Sequence, residues 1–390
     1  MILIKEGHLF APADRGCCDI LVGGDRILAI QKNINENSLP GSVRVVDAKN
    51  RIVVPGFIDG HQHFTGGGGE GGFQSRTPEM TLSMNILNGV TTAVGLLGTD
   101  SLTRTVESLY AKTQAFNAEG MTALMLTGAY WLPSPNITGS AGRDIAYIDP
   151  VIGVKLAMAD QRGPSFDVKD LAVLASDVRV ASLVADKPGI ITVHVGVNPD
   201  GLDLIFEVIK HHTIRPDIFI PTHINRKRSR VADQALSLAD QGGFVDATCM
   251  TYVPKEEDDH LSAADFAIIA EQNKVFNQVC FSSDAGGSLP KWNEDRSRIM
   301  GMGVGTPASL LFELKRLVKD HGMEISKALL PLTLTPAKVY GLSGIKGEIE
   351  KGAHADILIL DRKTLDIEDV VAKGQVMMNN QILEKKGYFE

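Results

Sequence analysis

Between Phe57 and Gly286 the chain repeats one pattern eight times: a short apolar run, a loop, then an amphipathic stretch. The apolar runs are FIDGHQHF, TTAVGLLGT, TALMLTGAY, VIGVKLAM, IITVHVG, FIPTHIN, FVDATC and VCFSSDAG, with stretches such as SLTRTVESLYAKTQAFNAEG and DQALSLADQGG between them. Strand-sized runs alternating with helix-sized ones predict parallel β/α units. Eight such units predict an α/β fold of the TIM (β/α)8 barrel type, with chemistry at the carboxyl ends of the strands and in the loops that follow. A doubly wound open sheet is the alternative, but no G-x-G-x-x-G turn opens the first helix.

The flanks read differently. MILIKEGHLF, CDILVGGDRILAI and SVRVVDAKNRIVVPG are short strands punctuated by turn residues, and GEIEKGAHADILILDRKTLDIEDVVAKGQVMMNNQIL has the same texture. Neither end holds enough apolar residues to close a core alone. The expectation is a small β-sandwich domain assembled from residues 1–55 and 345–390, beside a barrel domain over 56–344.

Composition narrows the partners. The net charge of −8 is spread without a basic block, which removes the electrostatic footprint that nucleic acid requires. No uncharged apolar stretch reaches 18 residues and MILIKEGHLF lacks a signal-peptide layout, so the expected location is the cytoplasm, with no membrane partner. Cys17 and Cys18 are adjacent while Cys249 and Cys280 stand alone, giving neither a disulfide framework nor a C-x-x-C zinc pattern.

Ionisable residues inside apolar strands carry the functional signal, because burying one is costly unless it is paired or metal-bound. His61 and His63 lie two apart, so a strand would present both on one face. Later strands add Lys155, His194, His223 and Asp284. Singly, each reads as a satisfied core polar residue. Jointly they exceed what one tetrahedral zinc needs, and two metal ions are the economical account. Lys155 fits such a site if deprotonated and carbamylated, since a carbamate offers two anionic oxygens; a salt-bridged lysine is the unmodified alternative. The glycine run GGGGEGG, 66–72, follows the histidine pair and carries Glu70; without a following Gly-Lys-Ser/Thr it is no phosphate loop. Two long loops, 129–144 and 285–305, are placed to cover the barrel mouth, and the acidic run at 256–259 reads as a solvated face.

Together FIDGHQHF, the strand-four lysine, the two later histidines, SSDAGGS and GEIEKGAHADILIL resemble the amidohydrolase superfamily. GGGGEGG, VGLLGTDS, MLTGAYWLPSPNITGS, VIGVKLAMADQR, PTHINR and SSDAGGS are similar to its isoaspartyl (β-aspartyl) dipeptidase family, over nearly the whole chain. Gln62 departs from the aliphatic residue common in relatives and is expected to face away from the metals. The loop after strand seven matches nothing informative. The resemblance implies two Zn2+ per subunit, one held by His61, His63, carbamylated Lys155 and Asp284, the other by Lys155, His194 and His223, with a bridging hydroxide. It implies Asp284 as general base and acid and Tyr130 as oxyanion donor. Glu70 would take the ammonium of a small dipeptide substrate, Arg162 and Arg226 its carboxylates, with Thr99, Ser288 and the Gly68 backbone adding hydrogen bonds. It also implies a homo-oligomer built from dimers, up to an octamer. Alternatives are a cyclic-amide hydrolase of the dihydroorotase or hydantoinase kind, an N-acyl-amino-acid deacylase, or a non-catalytic scaffold.

Overall fold

The computed structural model describes residues 1–226, 230–254, 260–293 and 298–390. The acidic run at 256–259 lies outside the described residues. Five strands open the chain: β1 (Ile2–Phe10), β2 (Asp14–Gly23), β3 (Arg26–Gln31), β4 (Arg44–Asp47) and β5 (Ile52–Pro55). Eight parallel strands follow: β6 (Phe57–Gln62), β7 (Val90–Gly95), β8 (Thr122–Gly128), β9 (Val151–Met158), β10 (Ile190–Val195), β11 (Phe219–Thr222), β12 (Val245–Thr248) and β13 (Val279–Ser282). They are hydrogen-bonded in sequence order from β6 to β13. A parallel bridge between Gln62 and Ala285, with the His63 amide donating to the Ala285 carbonyl at 2.7 Å, brings the last strand against the first. The result is a nearly closed TIM barrel.

The strands read as near-continuous apolar runs because both faces of a parallel sheet are covered. Every residue of β6, β7, β9 and β10 is buried. The connecting helices carry local stop and start signals. Thr105 caps Val106–Glu119 by accepting from the Ser108 amide, and Gly120, at φ +111°, ends that helix in the left-handed region. Asp167 and Asp170 form a reciprocal capping box at the head of Val168–Ala185. Ile58, Val94, Leu126, Ile152, Ile190, Ile220 and Tyr340 form one apolar cluster that draws on strands all around the barrel. Gly60 is required there, because a Cβ would stand 1.8 Å from the Tyr340 hydroxyl.

The terminal strands correct one expectation. With β16 (Ile357–Leu360), β17 (Ile367–Ala372), β18 (Gln375–Asn379) and β19 (Ile382–Leu383), they build a single nine-stranded, mostly antiparallel sheet rather than two stacked ones. β5 and β16 join the two chain ends, pairing Ile52 with Leu360 and Val54 with Leu358. The edge strand β3 meets residues 352–355, with Ile27 N donating to Ala353 O at 2.9 Å and Ala355 N to Asp25 O at 2.9 Å. One curling sheet therefore encloses the Ile4, Ile20, Ile27, Ile357 and Val371 core. Alternate residues Val54, Leu358 and Val370 pack on the barrel side instead, as the two-residue period of a strand dictates.

The 285–305 loop is largely a ribbon, β14 (Ser288–Trp292) antiparallel to β15 (Ile299–Val304). No helix among the described residues is long and apolar enough to cross a membrane.

Candidate active site and metal centre

Strand ends place the histidines. His61 lies near the end of β6 and His63 just beyond it, their ring centroids 5.5 Å apart. His223 is the first residue past β11 and adopts φ +63°; Asp284, just past β13, adopts φ +51°. Positive φ is uncommon outside glycine, and conformations of that kind cluster at functional sites. The rings run in series, with His61 5.1 Å from His223 and His223 4.7 Å from His194. Asp284 Oδ1 stands 3.1 Å from His63 Nε2 and 3.5 Å from His61 Nε2, and Lys155 Nζ stands 3.3 Å from His61 Nε2.

Burial sets the protonation of this cluster. It holds His61 and His223 well below the usual imidazole range and lowers His194 to about 3, so these rings are neutral with a lone pair to offer. It lowers the fully buried Lys155 amine to about 7, against the opposing pull of Asp284 and Asp246. Nδ1 of His61 and of His63 is buried without a hydrogen-bond partner among the described residues. His61, His63 and Asp284 hold their ligand atoms within 4.8 Å of one another. Imidazoles, a carboxyl group and an amine lowered to about 7 form a nitrogen and oxygen donor set that fits divalent cations.

A second group sits beside the first. The Tyr130 hydroxyl donates to His194 Nδ1 at 2.9 Å, and burial pushes its phenol well above the usual tyrosine range. Glu70 Oε1 accepts from Thr99 Oγ1 at 3.2 Å, Ser288 Oγ at 3.1 Å and Arg162 Nη1 at 3.3 Å. Thus four substrate-binding candidates far apart in sequence meet at one carboxylate. Gly68, at φ +77°, has no room for a side chain, since a Cβ there would stand 2.4 Å from the Ser75 carbonyl oxygen. Arg226 lies on the His223 side of the mouth, bridged through its backbone to His260, and its charge helps to lower His223.

Around this cluster stand three enclosed carboxylates that were not singled out from sequence. Asp160, just past β9, holds both His194 and Arg162. Asp59 accepts from the Ser283 amide at 3.1 Å, from Ser283 Oγ and from Gln62 Nε2 at 2.8 Å. Gln62 also donates to Asn85 at 2.8 Å, so its amide turns toward a structural network and not toward the histidines. Asp246 accepts from Thr222 and Ser282 hydroxyls, each at 2.6 Å. The rule that found Lys155 also fits Asp59 and Asp246, since both interrupt the apolar runs FIDGHQHF and FVDATC.

Burial raises Asp246 from 3.8 to about 7. The folded chain therefore holds this proton more tightly than the unfolded one, and the stability it adds below pH ~4 is lost as pH rises through about 7. Asp246→Asn is expected to match the parent near pH 4 and to exceed it increasingly up to pH 7, by an amount bounded at ~4 kcal/mol. Urea unfolding of both proteins across that range checks this, and a difference independent of pH refutes it.

Models of the Amidohydrolase family match residues 223–379 and 44–119. Among solved structures, beta-aspartyl dipeptidase from Fervidobacterium islandicum AW-1, in complex with beta-Asp-Leu dipeptide, superposes with a TM-score of 0.91 at 34% identity, covering 99% of each chain. D-hydantoinase (dihydropyrimidinase) from Thermus sp. shares the fold at a TM-score of 0.73 and 15% identity, over 100% of this chain and 98% of that one. In sequence, dihydroorotase of Elusimicrobium minutum is 24% identical over 100% of this chain and 95% of its own length. With a full-length likeness at 34% identity and family models matched in both halves, the chain belongs to the amidohydrolase family of hydrolases.

Proposed function

We propose that the protein is a metallo-dipeptidase that hydrolyses β-aspartyl dipeptides to L-aspartate and a second amino acid. The observation that carries this reading is the Glu70 carboxylate, gathered with Thr99, Ser288 and Arg162 beside the histidine cluster. An anionic pocket next to a guanidinium suits a substrate end bearing both an ammonium and a carboxylate. A cyclic amide offers no such ammonium. The likeness to the Fervidobacterium dipeptidase points the same way.

His61, His63, Lys155 and Asp284 would hold one ion, and Lys155, His194 and His223 the other, with Lys155 as its carbamate and zinc as the metal. Such ions supply Lewis acidity toward the scissile carbonyl and lower the pKa of water toward neutrality. Glu70 fixes the substrate ammonium, while Arg162 and Arg226 take the carboxylates. The Tyr130 phenol keeps its proton and donates it as a hydrogen bond to the carbonyl oxygen as negative charge builds there. Asp284 accepts the proton of the attacking water and passes it to the leaving nitrogen as the C–N bond breaks. A homo-oligomer acting on small dipeptides in the cytoplasm completes the reading.

The test is parallel turnover of β-Asp-Leu, dihydroorotate, hydantoin and N-acetyl-aspartate by zinc-loaded protein of verified metal content. The expected result is a kcat/KM for β-Asp-Leu at least ~10²-fold above the others. Faster turnover of dihydroorotate or hydantoin would move the assignment to a cyclic-amide hydrolase, and inactivity on all four with metal bound would return it to a scaffold.

A further inference from the structure

Asp160 stands where the two halves of the site meet, and the chain is shaped to keep it there. Ala159 takes φ +52°, turning the backbone sharply after β9. The turn is pinned against β10 by Gly196 N donating to Met158 O at 2.8 Å and Asn198 N to Ala159 O at 3.0 Å. Gly196 permits the approach, since a Cβ would lie 2.1 Å from the Ala159 carbonyl oxygen and 2.5 Å from the Asp160 Cα.

The Asp160 side chain is only 6% exposed and all its contacts run to donors. Oδ1 accepts from the Arg162 amide at 2.8 Å and from Arg162 Nε at 2.9 Å; Oδ2 accepts from Arg162 Nη2 at 2.7 Å and from His194 Nε2 at 2.8 Å. A carboxylate only accepts, so Nε2 of His194 carries the proton and the lone pair sits on Nδ1. The Tyr130 hydroxyl, donating to Nδ1 at 2.9 Å, fits that tautomer. Arg162 is held by its Nε and Nη2 edge in a bidentate pair, and Nη1 is left facing Glu70.

We infer that Asp160 is a positioning residue that fixes both the His194 nitrogen offered to a metal ion and the edge of Arg162 offered to substrate. This rests on the dipeptidase reading for its substrate half only. Its metal half needs just His194 as a ligand, where a carboxylate on the outer ring nitrogen typically affects metal affinity 10- to 100-fold.

Two variants separate the halves. Asp160→Ala removes both contacts: its affinity for the second zinc, read by chelator competition, is expected to fall ~10- to 100-fold. At saturating zinc, its KM for β-Asp-Leu should rise ~10-fold or more while kcat stays within a few-fold. Asp160→Asn keeps the volume but replaces one oxygen with a donor. Either orientation of the amide sets that donor against Arg162, and one orientation sets it against His194 as well. The same rise in KM is expected, and this variant carries the test if the alanine protein does not fold. Zinc affinity and KM both within twofold of the parent, or a loss confined to kcat, overturns the proposal. If the parent leaves β-Asp-Leu intact, the dipeptidase reading fails, and zinc affinity, which needs no substrate, still decides whether Asp160 positions His194.

Discussion

Asp284→Ala is expected to lower kcat for β-Asp-Leu by ~10³-fold while leaving most of the bound metal in place. Asp284 Oδ1 lies 3.5 Å from His61 Nε2 and 3.1 Å from His63 Nε2, so it would adjoin an ion held by that pair and the water such an ion would activate. If it only ligated metal, its loss would show first as weaker zinc binding. If it carries the proton, turnover collapses even at full metal occupancy, because the leaving nitrogen must be protonated as the C–N bond breaks. Metal analysis and kcat on the same preparation separate the two, and near-parental kcat would remove Asp284 from proton transfer. Its left-handed backbone, at φ +51°, means the side chain is aimed by a constrained turn. Asp284→Asn should therefore keep the geometry and still lose turnover, since an amide cannot carry the proton.

Lys155→Ala is expected to lose metal first and activity as a consequence, with kcat/KM down by ~10³-fold or more. Lys155 is fully buried, and its amine, lowered to about 7, sits 3.3 Å from His61 Nε2. An ammonium there would repel a divalent ion. The neutral amine can attack carbon dioxide: an N–C bond forms as one C=O pair moves onto oxygen, the nitrogen releases a proton, and the product is a carbamate whose single negative charge is shared by two oxygens that would serve two ions. Since the folded amine is depressed, it is mostly protonated below pH 7 and mostly neutral above it. Reconstitution of metal-free protein with zinc and bicarbonate should consequently accelerate between pH 6 and 8 in the parent and show no bicarbonate dependence in Lys155→Ala. Full zinc occupancy in that variant would argue against a bridging lysine. Comparison with Lys155→Met, which nearly keeps the buried volume, guards against reading a cavity defect as metal loss.

Both results bear on residues that stand more than a hundred positions apart in the chain, Lys155 and Asp284. The eight apolar runs are visible because a buried parallel strand needs apolar residues on both faces, and the structure has a strand in each of them. FIDGHQHF, VIGVKLAM, IITVHVG and VCFSSDAG also display their ionisable residues openly, because a charge inside such a run stands out. Asp160 does not. It sits in a loop, where an aspartate is ordinary, and its importance comes from a turn that returns it to the neighbouring strand. The terminal strands show a different gap: alternation predicted strands at both ends, but whether they form two sheets or one depends on pairings such as Ile52 with Leu360, which no local pattern encodes.

The sequence by itself therefore determined the barrel class, the order of its units, and a set of histidines, a lysine and an aspartate too many to be idle. Side-chain chemistry and period are local properties, and local patterns carry them. Only the tertiary structure decided that Glu70 meets Thr99, Ser288 and Arg162, that Asp160 ties His194 to Arg162, and that the two chain ends share one sheet. Those facts follow from bringing the last barrel strand against the first and from the turns that aim loops inward, and closure is a property of the whole ring, absent from any one of its eight segments.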